Sequence, residues 1–361
     1  MRFFNSDCGI VRWMGIAVVA LAFCAGEANA EITFLNKKIE VLIGSEAGGG
    51  TDGTTRLLSR YLAKHLPGNP SMVVRNMPGA RGTLALNHFV SSPSVKPDGL
   101  TWVGGGSAHI DAHAVLRPQV KYDPDTFQYI GAVSRGGSFL LLRKEKSANL
   151  MNKSLPPVIV GTIDGAGSWE QAVMFGQKGL GWNSKFVLGY RGTQEMLVAI
   201  QRGEIDMIGT ANAPFLSQMV ESGSYGMVAQ EGTPEELAAT DQRSAFGLVP
   251  PIGKLLDGKL TGVAADAFQF WSLTRQVDKW YALPVGTPAD IVEVYRKSYD
   301  AAVADPEFLK YAYAQFSEDF KSIPGAAFQS LVTKTTRPGK AILDFMDGMK
   351  SENGIRTEGA N

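Results

Sequence analysis

The sequence predicts an α/β fold, and three features point to it. Short apolar runs of strand length recur along the chain, they end in small residues, and segments with apolar residues at helical spacing follow them. The opening unit, residues 39–58, is the clearest. Ile39, Val41, Leu42 and Ile43 form a run suited to a strand buried in a parallel sheet. Gly48, Gly49 and Gly50 follow at its tip. Thr51 and Asp52, both favourable N-cap types, then open a helix carrying Leu57, Leu58, Tyr61 and Leu62. A glycine loop feeding a helix N-terminus gathers backbone N–H groups where an anion can approach them.

The next units repeat the theme. A strand at 72–75 leads into the glycine-rich turn Asn76-Met77-Pro78-Gly79-Ala80-Arg81-Gly82-Thr83 and a helix over 84–90. A third strand at 101–104 ends in Gly104-Gly105-Gly106-Ser107. Three such loops can meet at one edge of a sheet, where open α/β sheets bind ligands. Strands follow at 139–143 and 158–161, and Gly165-Ala166-Gly167-Ser168 then leads into a helix with Trp169, Val173 and Met174. Ser168 is both an N-cap and a candidate ligand contact. A strand at 186–189 precedes Tyr190-Arg191-Gly192-Thr193, which opens a helix over 194–201 that Gly203 stops. Another strand runs over 205–209. Phe268, Phe270 and Trp271 are expected in the core where the chain returns to the first lobe. Thr287-Pro288 and Asp305-Pro306 start helices expected on that lobe's outer face.

Residues 1–30 are expected to be an export signal: Arg2 and Arg12 precede an apolar stretch from Trp13 to Ala25, and Ala28-Asn29-Ala30 is a small-x-small cleavage site. Both cysteines, Cys8 and Cys24, lie in that segment, so the exported chain relies on its core without disulfides. The 35 Lys and Arg balance the 35 Asp and Glu, which gives no basis for binding nucleic acid or an anionic membrane.

Enzyme readings fare poorly. Gly48, Gly50 and Gly53 spell G-x-G-x-x-G, but the strand at 72–75 is followed by Asn76, without the acid a dinucleotide site needs. His109 and His113 flank Asp111, yet the spacing is not that of a zinc protease, and both histidines are read as surface helix residues. No G-x-S-x-G elbow occurs. Neither a metal, a cofactor nor a catalytic residue is expected.

Several stretches in fixed order, IEVLIGSEAGGGTDGTTRLLSRYL, VVRNMPGARGTLA, PDGLTWVGGGSAH, VKYDPDTFQYIG, LGYRGTQEMLVAIQRGEIDMI and WYALPVGTPADIVEVYRKSYDAAVADPEF, resemble the Bug-type receptors. These are the TctC-like extracytoplasmic solute-binding proteins of tripartite tricarboxylate transporters. The resemblance implies a type II periplasmic-binding fold, with two α/β lobes clamping a small organic anion, usually a carboxylate. It implies a periplasmic, non-enzymatic protein, monomeric, that passes its solute to membrane permease subunits. A sensory role beside a membrane receptor fits the same residues. Lobe one is expected to comprise 31–135 and 267–361, and lobe two 136–266. The family usually has proline, an aromatic residue and often another proline where Gly44, Ser45 and Glu46 stand, and glycine at Arg81. The stretch 232–276 matches poorly.

The expected ligand-binding set is Ser45, Glu46, Gly48, Gly49, Gly50 and Asp52 in the first loop, and Gly79, Ala80, Arg81, Gly82 and Thr83 in the second. Ser107, Gly167, Ser168, Tyr190, Gly192, Thr193 and Asn212 complete it. Backbone amides of the glycine loops are favoured over an Arg81 clamp for holding the carboxylate. If Glu46 faces the site, it selects a solute with an amine or hydroxyl at that end.

Overall fold

The computed structural model describes residues 32–111, 118–165, 167–231, 249–275, 277–316 and 320–355. The export signal at 1–30, its cleavage site, His113 and residues 232–248 of the poorly matching stretch lie outside them.

The strands in chain order are β1 Lys38–Ile43, β2 Ser71–Asn76, β3 Thr101–Gly106, β4 Gln128–Ser134, β5 Phe139–Arg143 and β6 Val158–Gly161, followed by β7 Ser184–Val187, β8 Met207–Thr210, β9 Tyr225–Gln230, β10 Lys279–Leu283 and β11 Lys321–Pro324. They form a six-stranded sheet, ordered β11-β4-β10-β3-β1-β2, and a five-stranded sheet, ordered β7-β6-β8-β5-β9. The mixed α/β class expected from the sequence is what the chain adopts.

In the first sheet β1 runs parallel to β2 and β3, so the loops after all three emerge at one edge. β10 and β11 return antiparallel, with Lys279 opposite both Gly106 and Val133, and Lys321 opposite Ser134. That register places residues 135, 278 and 279 at the same edge as the glycine loops. In the second sheet β6 is parallel to β7 and β8, and Phe139 at the start of β5 faces Thr210 and Gln230. The segments 136–138, 162–165 and 211–212, with residues 167 and 231, therefore share an edge as well.

Each sheet has its own core. Leu42, Phe89, Phe127, Tyr129, Trp280 and Phe328 centre the first. Phe139, Val160, Phe175, Ile200, Met207 and Trp271 centre the second. Two placements differ from expectation. Helix Val263–Thr274, which carries Phe268, Phe270 and Trp271, packs on the second sheet, with Phe175 at 5.1 Å from Phe268 and 5.6 Å from Trp271. Helix Lys340–Glu352 joins it there through Met346 and Met349, while Ala289–Ala304 and Gly325–Thr335 do pack on the first sheet. An apolar helix face states that it will be covered, not by which sheet. β7 also lies two residues earlier than expected, because its pairing with β6 runs from Ser184 opposite Val158. Among the described residues no helix is long and apolar enough to cross a membrane.

Candidate functional site

The first glycine loop turns its polar groups inward. The helix Gly50–His65 is capped by Gly49, two residues before the expected Thr51 and three before Asp52. Asp52 sits instead at the third helical position and folds back. It is 4% exposed, and its carboxylate accepts from Gly48 N–H, Arg56 Nε and Asn76 Nδ2, each at 2.9 Å. Burial alone would raise its pKa, but hydrogen bonds from Arg56, Gly48 and Asn76 hold it below the usual carboxylate value. Asn76 Nδ2 also donates to Ser45 O, and Gly49 N–H to Glu46 O. The Gly48 and Gly49 amides are thus bonded to acceptors of the chain itself. Ser45 Oγ is buried, and the Glu46 side chain is exposed.

The second loop is held in an unusual conformation. Gly79, Ala80, Arg81 and Gly82 have φ of 136°, 45°, 55° and 94°. Left-handed geometry at the two non-glycine residues costs on the order of 1–2 kcal/mol each. Three contacts hold it: Gly82 N–H donates to Gly79 O at 2.9 Å, His109 Nε2 donates to Arg81 O at 2.6 Å, and Gly82 packs directly on Gly44. His109 Nδ1 accepts from Gly106 N–H at 2.9 Å, which leaves the proton on Nε2. Burial, helped by the nearby charges of Lys279 and Arg81, lowers its pKa to about 4. His109 is therefore a latch on the 79–83 turn and not the surface helix residue its sequence setting suggests.

From this turn Arg81 reaches across to the second sheet. Its Nη2 lies 2.9 Å from Asp164 Oδ1 and 3.6 Å from Glu170 Oε1. Glu170 is 1% exposed and accepts from Thr162 Oγ1 at 2.6 Å. Burial pushes its pKa up, with Arg81 opposing.

Behind the first loop lies a charged cluster. The Asp278 carboxylate accepts from both Arg135 Nε and Lys279 Nζ. Burial would raise the Asp278 pKa, but Arg135 and Lys279 hold it well below the usual range. The Arg135 guanidinium lies over the helix start, such that a Cβ on Gly50 would sit 2.9 Å from Nη1. A cavity of about 30 Å³ borders this cluster, lined from the first sheet by Ser107 and Asp278, from the second by Ala211 and Glu231, and by the crossing segment 136–138 and Arg275. Burial lowers the Arg275 pKa against the charges of Glu231 and Asp111.

The other expected residues are dispersed. Gly167 caps helix Ser168–Gly179, and a Cβ there would collide with Glu170 Oε2. Gly192 is an extended N-cap before Thr193–Arg202, and Tyr190 is half-buried against Gly161. Asn212 is exposed and caps helix Ala213–Glu221 by accepting from Phe215 N–H. Of the expected set, Ser107 lines the cavity, whereas Tyr190, Gly192, Thr193 and Asn212 do not. The charged groups Arg135, Asp278, Lys279, Arg275, Glu231, Asp164 and Glu170 were not foreseen. One signal was available: Ser134-Arg135-Gly136-Gly137-Ser138 ends a strand as the other glycine loops do.

The fold has close counterparts among solved structures. The periplasmic binding protein BugD superposes with a TM-score of 0.62 at 18% identity, covering 88% of this chain and 98% of that one. A TctC solute-binding protein from Polaromonas gives 0.60 at 18% identity, covering 87% and 98%. The chain shares the fold of these Bug-type, TctC-like binding proteins. A Rhodopseudomonas palustris protein of the same architecture, solved with adipate, gives 0.62 at 18% identity, covering 88% and 97%. Among curated sequences, a UPF0065 protein of Bordetella bronchiseptica is 30% identical over 117 residues, 32% of this chain and 33% of that relative. A UPF0065 protein of Agrobacterium vitis is 22% identical over 335 residues, 87% of this chain and 86% of its own. The chain spans about a third of the length of the first of these relatives. No family model matches it. These Bug-type and TctC-like neighbours are solute-binding proteins.

Proposed function

We propose that the chain is a periplasmic solute-binding protein that captures a small organic acid between two lobes and delivers it, as a monomer, to the permease subunits of a tripartite tricarboxylate-type transporter. The two sheets are read as the two lobes, with the chain crossing between them near residues 135 and 275. The observation that carries this reading is the polar cavity bounded by the facing strand ends of both sheets, with Arg275 and Asp278 in its wall and Arg135 and Lys279 bonded to Asp278. Both sheets contribute to its wall, so a solute seated there would be held between them, the arrangement a hinged clamp needs. The neighbour solved with adipate supports a carboxylic acid as the cargo.

The test is thermal unfolding of the purified protein against a panel of mono-, di- and tricarboxylates. A cognate acid at about 100 times its dissociation constant adds about 2.7 kcal/mol to stability, a rise of several degrees. If no carboxylate moves the melting temperature at millimolar concentration, the proposal fails.

A further inference from the structure

Arg81 joins the two sheets by charge. It rises from the loop after β2, and its Nη2 lies 2.9 Å from Asp164 Oδ1 and 3.6 Å from Glu170 Oε1. Both acids belong to the second sheet's side: Asp164 follows β6, and Glu170 sits in the first turn of helix Ser168–Gly179.

Each end of this contact is anchored to its own sheet. On the first side, His109 Nε2 donates to Arg81 O at 2.6 Å, and Gly82 packs on Gly44, the residue that follows β1. On the second side, Thr162, the residue after β6, donates from Oγ1 to Glu170 Oε1 at 2.6 Å. The same hydroxyl accepts from Gly165 N–H at 3.0 Å and so steadies the loop that bears Asp164. Most ion pairs contribute little because two free side chains must be ordered to make them; here that ordering is largely done beforehand.

The contact also carries costs. Arg81 has φ 55°, a backbone conformation that suits glycine. Glu170 is 1% exposed, and a buried carboxylate needs a counter-charge, which Arg81 supplies. Strain and buried charge tolerated at one contact between two moving parts are the pattern expected of a conformational switch. Every member is a side chain of the protein itself, so the grip needs no solute.

We propose that Arg81 is a latch that holds the two lobes together before a solute arrives, so that solute enters only when its pairs to Asp164 and Glu170 break. This rests on the solute-binding reading above and adds a gate to it. The open form is then the minor one in the solute-free protein, and removing the latch raises its population.

The experiment is electron–electron double resonance on the whole protein without added solute. Spin labels are attached at Ser91→Cys, in helix Thr83–Ser91, and at Val198→Cys, in helix Thr193–Arg202, both exposed and one on each lobe. Changing Cys8 and Cys24 to serine leaves these two as the only thiols of the chain. With Arg81 in place, one distance is expected, that of the structure. Arg81→Gly removes the guanidinium and suits φ 55°, so the turn keeps its shape. It is expected to shift the closed-to-open ratio at least about tenfold toward a longer distance. Arg81→Glu sets a third carboxylate against Asp164 and Glu170 and is expected to shift it further. Circular dichroism checks the fold of each variant, and Arg81→Gly decides the matter without Arg81→Glu. Unchanged distances in Arg81→Gly, or a protein already spread over the longer distances with Arg81 present, overturn the latch and leave solute binding intact. Thermal unfolding of the unlabelled protein against the carboxylate panel tests the solute-binding reading separately, and no shift there overturns that reading together with the gate.

Discussion

Replacing Asp52 by asparagine tests whether the first glycine loop is closed by its own carboxylate. Asp52 receives bonds from the Gly48 amide, from Asn76 and from Arg56. Asparagine keeps one acceptor oxygen, turns an NH2 toward donors and removes a negative charge from the helix N-terminus. A hydrogen bond to a charged group contributes about 1.5–3 kcal/mol, and the charge near the helix start about 0.3–1 kcal/mol. The Arg56 side chain is 48% exposed, so its share belongs at the low end. The expected loss is about 2 kcal/mol at pH 7, roughly 3 °C in melting temperature for a chain of this size. The depressed pKa sets the pH dependence. Asp52 is ionised in the folded state at a pH where the unfolded side chain already holds its proton. Its contribution is complete above the unfolded value of 3.8 and is lost as pH falls through the lower folded value. Urea unfolding of wild type and Asp52→Asn at pH 7 and at about pH 3 reads both effects. A deficit absent at pH 7, or one of the same size at the lower pH, would refute the capping role.

Three other outcomes follow from named contacts. His109, with its pKa near 4 against 6.5 unfolded, stays neutral while the unfolded side chain takes up a proton, so its contribution is full above pH 6.5 and falls away toward pH 4. His109→Gln should flatten the stability slope over that window, and an unchanged slope would show that the latch does not titrate this way. Gly105→Ala would drive a Cβ into the buried Trp280 ring and is expected to cost more than about 3 kcal/mol, whereas Gly106→Ala, with its nearest neighbour 3.5 Å away, should be tolerated in conformation and stability. Soluble yield and melting temperature compare the pair, and equal behaviour counts against the packing. Glu46→Gln should change neither stability nor solute preference, because its side chain is exposed; a shifted carboxylate profile in thermal unfolding would return Glu46 to the site.

The local units were legible because each is written in contiguous residues. Ile39, Val41, Leu42 and Ile43 announce a buried strand, and the glycines at 48–50 and 79–82 announce tight turns at its sheet edge; β1, the helix Gly50–His65 and the left-handed turn bear this out. What escaped was every assignment that depends on a distant partner. Lys279–Leu283 received no strand assignment from sequence, yet it is a central strand between β3 and β4. Arg81 reads as a surface charge or a clamp, and only the approach of the second sheet gives it Asp164 and Glu170.

By itself, then, the chain's sequence determined the α/β class, the strand and glycine-loop units and the edge at which they gather, because backbone conformation and burial of one face are local demands. Tertiary structure alone decided which sheet covers the aromatic helix Val263–Thr274, which acid occupies the Gly48 amide, and how Arg135, Asp278 and Lys279 meet beside Gly50. Those outcomes depend on where charges and apolar faces from remote segments come to rest. A buried charge is tolerable only with a partner, and the partner is chosen by the packing of the sheets and not by spacing along the chain.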